Sequence, residues 1–233
     1  VRPDAGKRMS KHQRAPERAV RDIRKLIKTR QLQHGDSLPS QRILAEDLAI
    51  SRASLREALA TLQAIGLVKI EAGKGVYVSD PQKDAPRDAQ STRHAAQVYQ
   101  FRLAIEPYVA GLAAQARSNV HLNAMQESIE EMRQALLEDD LLHAAKADTA
   151  FHNILLQAAD NPLFARAMHP TAQSIHENQM LPFANAAAIE APLQEHQQVL
   201  RFVRERNPSR ARDAMHFHVL SAATRANIAF LRP

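Results

Sequence analysis

The chain has 233 residues, of which 45% are hydrophobic and 24% charged, a composition typical of a globular protein. It contains no cysteine. Disulfides, thiolate zinc fingers and thiol catalysis are therefore excluded, and any metal site must use histidine and carboxylate ligands. No apolar run approaches the ~20 residues of a membrane-spanning helix, and no signal-peptide core follows the basic N-terminus, so we expect a soluble, cytoplasmic protein that does not enter a membrane.

The positive charge is concentrated in the first third of the chain. Residues 1–80 hold 16 Lys and Arg against 9 Asp and Glu, a net charge of +7, whereas residues 81–233 hold 15 against 16, a net charge of −1. Release of counterions makes such a basic segment a good partner for the phosphates of a nucleic acid. An anionic membrane surface is the alternative partner, and charge alone does not exclude it.

The first elements in chain order are helical. Residues 1–15 show no apolar periodicity and are interpreted as a flexible basic tail. Val20, Ile23 and Ile27 then recur at helical spacing. Ser40 and Ser51 are predicted to cap two further helices, and two helices joined by a turn of a few residues indicate a helix-turn-helix.

The apolar pattern changes from helical to alternating after Gly66. The runs 67–70 and 76–78 are β-like and are separated by a glycine-rich segment that contains Lys74. This pattern predicts a hairpin with a basic tip, a wing, although an ordinary surface hairpin is the alternative. Residues 16–79 are therefore expected to form a winged helix-turn-helix of three helices plus a small β-hairpin wing.

The remainder of the chain is predicted to be helical throughout. Residues 80–93 are polar and proline-containing, as expected of a linker. Apolar periodicity then predicts helices at about 94–117, 119–138, 140–160, 162–182, 190–206 and 208–230, the last begun by Asn207 and Pro208. We predict a mainly α protein in which residues 94–233 form an all-helical, effector-binding bundle.

The segment LPSQRILAEDLAISRASLREALATLQAIGLVKIEAGKGVYV, residues 38–78, closely resembles the N-terminal domain of the GntR superfamily of transcription regulators. The Leu-Pro-Ser entry, the Ser-Arg start of the recognition helix, the Leu-Arg-Glu-Ala-Leu core and the Gly-x-Gly wing occur in the family's order. Ala53 departs from the pattern, because members commonly carry a hydroxyl residue there. The resemblance implies binding to double-stranded operator DNA.

Candidate DNA contacts follow from how a recognition helix enters the major groove. Its first turn and a half faces base edges, where Arg takes guanine in a bidentate pair. Arg56 has a competing interpretation as the ion-pair partner of Glu57 or Glu46, and the other arginines as solvated charges. The wing glycines allow close approach to a phosphate or the minor groove. The candidate set is Arg42, Ser51, Arg52, Ser54, Arg56, Gly73, Lys74 and Gly75.

Four side chains of the helical part are candidates for a metal centre. Asp148 and His152 lie four residues apart and share an apolar helix face, and His196 and His218 lie on the inward faces of two other helices. Three imidazoles and a carboxylate suit a divalent transition metal such as zinc, nickel or manganese. The alternative is a set of core histidines with ordinary hydrogen-bond partners.

Residues 95–230 resemble the FCD effector domain of the FadR subfamily, in its metal-binding branch. The residues that carry this resemblance are Asp148, Phe151, His152, Asn161, Glu195, His196, Ala211, Met215 and His218, with Arg102 and Glu106 earlier. The resemblance implies that Asp148, His152, His196 and His218 bind metal and that Arg102 helps to receive a small carboxylate effector. Arg102 has an alternative role as an ion-pair partner of Glu106.

Together these features indicate a homodimeric repressor or activator, not an enzyme. Its affinity for operator DNA would be controlled by a small carboxylate or hydroxy acid. The operator is expected to be near-palindromic, because a useful specificity ratio needs two half-sites. Two alternatives remain open. One is a metal-dependent hydrolase-like enzyme fused to a DNA-binding module, although no spare inward carboxylate is placed as its general base. The other is an architectural protein that binds DNA without sequence preference.

Overall fold

The computed structural model describes residues 15–79, 89–172, 174–175 and 190–229. The chain divides into two compact units, Val1–Ala85 and Pro86–Pro233. The first unit holds helices and a two-stranded hairpin, and the second is helical wherever the structure describes regular elements. The predicted fold class, a winged helix-turn-helix followed by a helical bundle, is confirmed.

The first unit is built on helix α3. In chain order it contains α1 (Ala15–Thr29), α2 (Gln41–Asp47), α3 (Arg52–Ala64), β1 (Val68–Glu71) and β2 (Gly75–Val78). Helix α1 packs against α3, and α2 and β1 also contact α3. One apolar face of α3 is buried, because Leu55, Ala58, Leu59 and Leu62 are at most 1% exposed.

The hairpin is antiparallel and is extended on one side by the chain before α2. Val68 pairs with Val78, and Glu71 pairs with Gly75. The amide of Leu38 donates to the carbonyl of Val76, and a single bridge joins Ser37 to Tyr77. The sequence did not predict this third stretch, because it is too short to show an alternating pattern.

The second unit is a bundle of long helices. It contains α4 (Ala89–Ala116), α5 (Asn119–Leu137), α6 (Leu141–Ala158), α7 (Pro162–Met168), a 3₁₀ turn (His169–Thr171), α8 (Glu190–Arg204) and α9 (Pro208–Arg225). Helix α4 packs along α9 and α6, α5 packs along α6, and α8 contacts α4, α5 and α9. The predicted start of α9 is confirmed, since the Asn207 side chain accepts from the amide of Arg210.

Three predicted helices differ from the structure in their bounds, and one of them is α9, which ends at Arg225 and not at residue 230. Helix α4 begins at Ala89 and so includes residues 89–93 of the predicted linker. These residues are polar or small and carry no apolar period that could have revealed the first turn.

The predicted helix 162–182 is interrupted because Pro170 has no amide hydrogen and its ring clashes with a helical carbonyl, so α7 ends at Met168. Residues 1–14, 80–88 and 176–182 lie outside the described residues, so their predicted roles stay predictions.

Two arginines join the C-terminal ends of α4 and α8. Arg117 donates to the carbonyl of Arg204 at 2.8 Å, and Arg206 donates to the carbonyl of Gln115. The last carbonyls of a helix have no partner within it and carry a partial negative charge, which favours such contacts. The two helices that carry Arg102 and His196 are thereby fixed to each other.

Candidate DNA interface and candidate metal centre

The helix-turn-helix is shaped by two serine caps. The Ser40 side chain accepts from the amide of Ile43 at the start of α2, and Ser51 accepts from the amide of Ser54 at the start of α3. Each cap satisfies an amide that the helix itself leaves unpaired. Both predicted caps are confirmed, and the exposed start of α3 is held in a fixed orientation.

Arginine side chains are exposed at this end of α2 and α3. Arg52 and Arg56 have no hydrogen-bond or ion-pair partner within the described part of the chain. Arg42 instead pairs with Glu46 at 3.0 Å, so the alternative pairing of Arg56 with Glu46 is not formed. Ser51 and Ser54 bond to each other at 3.0 Å, which leaves their hydroxyls partly engaged in the cap.

The wing presents its lysines beside a carboxylate that the sequence analysis did not single out. Gly73 has a φ of +73°, a conformation that glycine adopts without strain, and it lies at the exposed tip. Glu71 lies 2.9 Å from Lys69 and 3.3 Å from Lys74. Hydrogen bonds from these two lysines, with their charges, lower the pKa of Glu71. The carboxylate therefore stays ionised between the two cations.

The four candidate metal ligands meet in the second unit. Asp148 and His152 come from α6, His196 from α8 and His218 from α9, and all four are buried. One potential ligand atom from each lies within 4.8 Å of every other. This is the only such group among the residues that the structure describes. The convergence expected from three helix faces is therefore present.

The outer nitrogen of each imidazole faces a hydrogen-bond acceptor. His218 Nδ1 is bonded to Glu195 Oε2 at 2.9 Å, and His196 Nδ1 to the carbonyl of Pro192 at 2.7 Å. His152 Nδ1 lies 3.1 Å from Glu106 Oε2, without the alignment of a hydrogen bond. Carboxylates and carbonyls in such positions orient metal-binding imidazoles in proteins.

The inner nitrogen of His196 is the clearest sign that the cluster suits a metal. His196 Nε2 is buried and has no hydrogen-bond partner among the described residues, although it lies 3.2 Å from Asp148 Oδ1. A buried polar atom without a partner is costly, and a bound cation would satisfy it. Three imidazoles with a carboxylate are also a donor set that divalent transition metals accept, so the residues present fit such an ion.

Arg102 lies beside this cluster and is already paired. Its Nε donates to Glu106 Oε1 at 2.7 Å, and its Nη2 to Oε2 at 3.2 Å. The same Nη2 lies 3.4 Å from His152 Nε2. The ion pair considered from the sequence is thus formed, and it still leaves guanidinium N–H groups available, because the group has five. Glu106 joins Arg102 to His152, a connection that the sequence analysis did not propose.

The electrostatics keep the cluster's carboxylates ionised. Burial raises the pKa of Asp148, but the neighbouring imidazoles, that of His196 above all, outweigh burial and lower it. Burial likewise opposes ionisation of Glu106, but Arg102 and His152 together outweigh it, so the pKa of Glu106 is lowered. Burial and the charge of His196 lower the pKa of His218 to about 3. His218 is therefore neutral at pH 7, the form that can bind a metal.

Glu195 and Arg225 were also missed as members of the site. Arg225 donates to both oxygens of Glu195, at 2.6 and 2.7 Å. From the sequence, Glu195 stood out only as part of a motif, because neighbouring residues on a helix point about 100° apart and His196 faces inward. A possible signal was the acidic residue directly before an inward histidine. Arg225 lies in the last turn of α9, where the sequence offered none.

Comparison with known proteins agrees with both units. Residues 16–78 match the model of the bacterial regulatory proteins of the gntR family, and residues 97–221 match the model of the FCD domain. The HTH-type transcriptional regulator LutR of Bacillus subtilis is 30% identical over 205 residues, which cover 83% of this chain and 93% of that protein. The HTH-type transcriptional repressor NanR of Escherichia coli K12 is 27% identical, with 95% and 86% covered. The solved structure of Streptococcus agalactiae GntR has a TM-score of 0.51 and 26% identity, covering 91% of this chain and 99% of that one.

The fold and these similarities define a DNA-binding transcription regulator. The chain belongs to the GntR family and carries an FCD domain after its DNA-binding domain. The families and relatives that it matches are transcription regulators, which argues against the hydrolase-like alternative. No helix in the described part of the chain is long and apolar enough to cross a membrane.

Proposed function

We propose that this regulator senses a small organic acid at a divalent-metal centre formed by Asp148, His152, His196 and His218. The observation that carries the proposal is the unpartnered Nε2 of His196, buried where the other three groups converge. When bound, the metal would supply a Lewis-acid site for a carboxylate. Arg102 would bind the same carboxylate through its remaining N–H groups, while Glu106 holds the guanidinium in place.

Charge supports an anionic effector. Among the described residues, the cluster and its ion pairs hold three carboxylates and two guanidiniums, which leaves one net negative charge when the imidazoles are neutral. The carboxylates are those of Asp148, Glu106 and Glu195, and the guanidiniums those of Arg102 and Arg225. A divalent cation would reverse this sign. A buried positive charge is unfavourable unless it is compensated, so a carboxylate or hydroxy acid is the effector class that the centre would favour.

Metal and effector binding are tested on one set of proteins. We expect His196→Ala to lose bound metal and to lower the melting temperature of metal-loaded protein, because an ion bound to the folded state stabilises it. His143→Ala, at an exposed position on α6, is the matched control. Measurements are metal content after Zn²⁺, Ni²⁺ or Mn²⁺ loading and melting temperature. A parent protein that retains no metal after loading would contradict the proposal.

The role of Arg102 needs a conservative variant. Arg102→Ala would leave Glu106 buried without its cation, a change that typically costs about 3–5 kcal/mol of stability. Arg102→Lys keeps the charge but lacks the planar fork that binds a carboxylate bidentately. We expect metal content to be retained and the stabilisation by added carboxylates to fall. An unchanged carboxylate response in this variant would remove Arg102 from the effector site.

For the DNA-binding unit, we propose that the exposed start of α3 reads base edges and that the wing contacts the backbone. The proposed contacts are Arg42, Ser51, Arg52, Ser54, Arg56, Gly73, Lys74 and Gly75. The support is the exposure of Arg52 and Arg56 without protein partners. Since one recognition helix reads only a few base pairs, we propose a homodimer on a near-palindromic operator.

Arg52→Ala tests the direct readout. On an operator selected by the protein from random duplexes, we expect a loss of about 1–3 kcal/mol, while binding to random DNA stays nearly unchanged. Arg30→Ala, an exposed arginine after α1, is the control. Equal losses on the selected and the random duplex would show that Arg52 contacts only phosphate.

A further inference from the structure

An ion pair between α8 and α9 lies directly behind one of the candidate metal ligands. Glu195 precedes His196 on α8 and is buried, and its carboxylate faces α9. There its Oε2 accepts from His218 Nδ1 at 2.9 Å. Arg225, in the last turn of α9, donates to both oxygens at 2.6 and 2.7 Å. Three side chains are thus connected in a line that ends at the candidate metal centre.

We propose that Glu195 and Arg225 are positioning residues that hold His218 in the orientation and tautomer that binds the metal. The inference rests on the metal centre proposed above. The two N–H groups of Arg225 fix the plane of the carboxylate, because a guanidinium and a carboxylate match in a bidentate pair. Glu195 then fixes the proton of His218 on Nδ1. The lone pair of His218 is left on Nε2, the ring nitrogen opposite Glu195.

His218 depends on another helix for its orientation, whereas His196 does not. The acceptor for His196 Nδ1 is the carbonyl of Pro192, four residues earlier on the same helix. A movement of α8 as a rigid helix therefore leaves that contact in place. The acceptor for His218 lies on α8 while the ligand itself lies on α9, so the ligand is oriented only if the two helices keep their packing. Loss of Glu195 should therefore weaken metal binding by more than the accompanying loss of stability would explain.

The charge of the pair supports the same role. Glu195 and Arg225 contribute one negative and one positive charge, so they orient His218 without adding net charge to the buried cluster. A carboxylate acceptor also makes the opposite nitrogen of an imidazole a better donor to a metal. The competing interpretation is an ion pair that only joins two helices. Such a pair would change the stability of metal-free protein and leave the affinity of the folded protein for metal unchanged.

The test compares the Zn²⁺ affinity of full-length variants, measured by chelator competition at a temperature where circular dichroism shows each to be folded. We expect Glu195→Gln to weaken Zn²⁺ binding by roughly 10–100-fold, the range found when such outer contacts are lost. Arg225→Lys should weaken it less, because it keeps the charge. The matched controls are Glu205→Gln and Arg201→Lys, which make the same two changes in an exposed ion pair of 2.8 Å that begins on the same helix. Both controls should stay within about twofold of the parent.

A second measurement needs no variant and keeps the proposal testable if Glu195→Gln does not fold. Long-range ¹H–¹⁵N spectra of the metal-free parent should show His218 protonated on Nδ1 and unprotonated on Nε2. The opposite tautomer would overturn the proposal, as would a folded Glu195→Gln protein with parental Zn²⁺ affinity. A parent that binds no Zn²⁺ would instead overturn the metal centre itself, and this inference with it.

Discussion

Ala49 occupies the turn of the helix-turn-helix in a conformation that suits glycine better. Its φ is +50°, in the left-handed region, and its side chain is exposed. A β-carbon in that region costs about 1–2 kcal/mol, part of which glycine loses again through its greater freedom in the unfolded chain. The residue is therefore a local source of instability beside the recognition helix.

We expect Ala49→Gly to stabilise this unit by about 0.5–1 kcal/mol. Hydrogen exchange of the α3 amides in the full chain should slow by roughly two- to fivefold, since the rate follows the free energy of opening. Ala60→Gly is the matched control, because Ala60 is exposed within α3, where glycine costs about 1 kcal/mol. Faster exchange in both variants would mean that the turn stores no strain.

At the level of single residues, inward-facing groups could be predicted and their partners could not. Asp148, His152, His196 and His218 each lie on a helix face that apolar neighbours define, so their convergence could be expected. Glu195 and Arg225 are paired through the packing of α8 on α9, which depends on the distance between helices. The pattern within either helix carries no information about that distance.

Among the elements, the hairpin wing carries one carboxylate between two lysines. Glu71 lies within 3.3 Å of both Lys69 and Lys74, and all three side chains are at least partly exposed. Exposed pairs of this kind contribute little to stability. Their effect on DNA binding is larger, because the Glu71 carboxylate repels the phosphates of the DNA and competes with them for the two lysines.

Glu71→Gln should therefore increase affinity for random duplex DNA by several fold and make binding more dependent on salt. The measurement is the dissociation constant by fluorescence anisotropy between about 50 and 200 mM salt, where each additional phosphate contact steepens the dependence. Glu130→Gln removes one exposed carboxylate of α5 and controls for net charge. If the two variants behave alike, Glu71 does not restrain the wing lysines.

Helix and strand type could be predicted from periodicity, whereas some boundaries depended on single residues. The caps at Ser40, Ser51 and Asn207 were visible because their side chains act within four residues of themselves. Pro170 interrupts the predicted helix 162–182, although the apolar period continues past it. The segment 36–38 pairs with β2 only because the tertiary fold brings them together.

For the whole molecule, sensing requires that effector binding and operator binding be coupled. An effector can change operator affinity only if it binds one arrangement of the protein better than another, and the coupling is reciprocal. The proposed metal centre draws ligands from α6, α8 and α9, and Arg102 adds α4. An effector held by four helices changes its contacts when those helices move relative to each other. It can therefore bind one arrangement better than another, which is the condition for coupling.

Sensing by the helical unit is tested most sharply by the operator affinity of metal-loaded and metal-stripped protein, measured with a panel of small mono-, di- and hydroxycarboxylic acids. The operator is the duplex that the protein itself selects. We predict that at least one acid changes the dissociation constant of the loaded protein by roughly fivefold or more, that the change is lost after chelation, and that Arg102→Lys reduces it. If no acid changes operator affinity or melting of the loaded protein, the metal site is structural and the sensing role of the helical unit is contradicted.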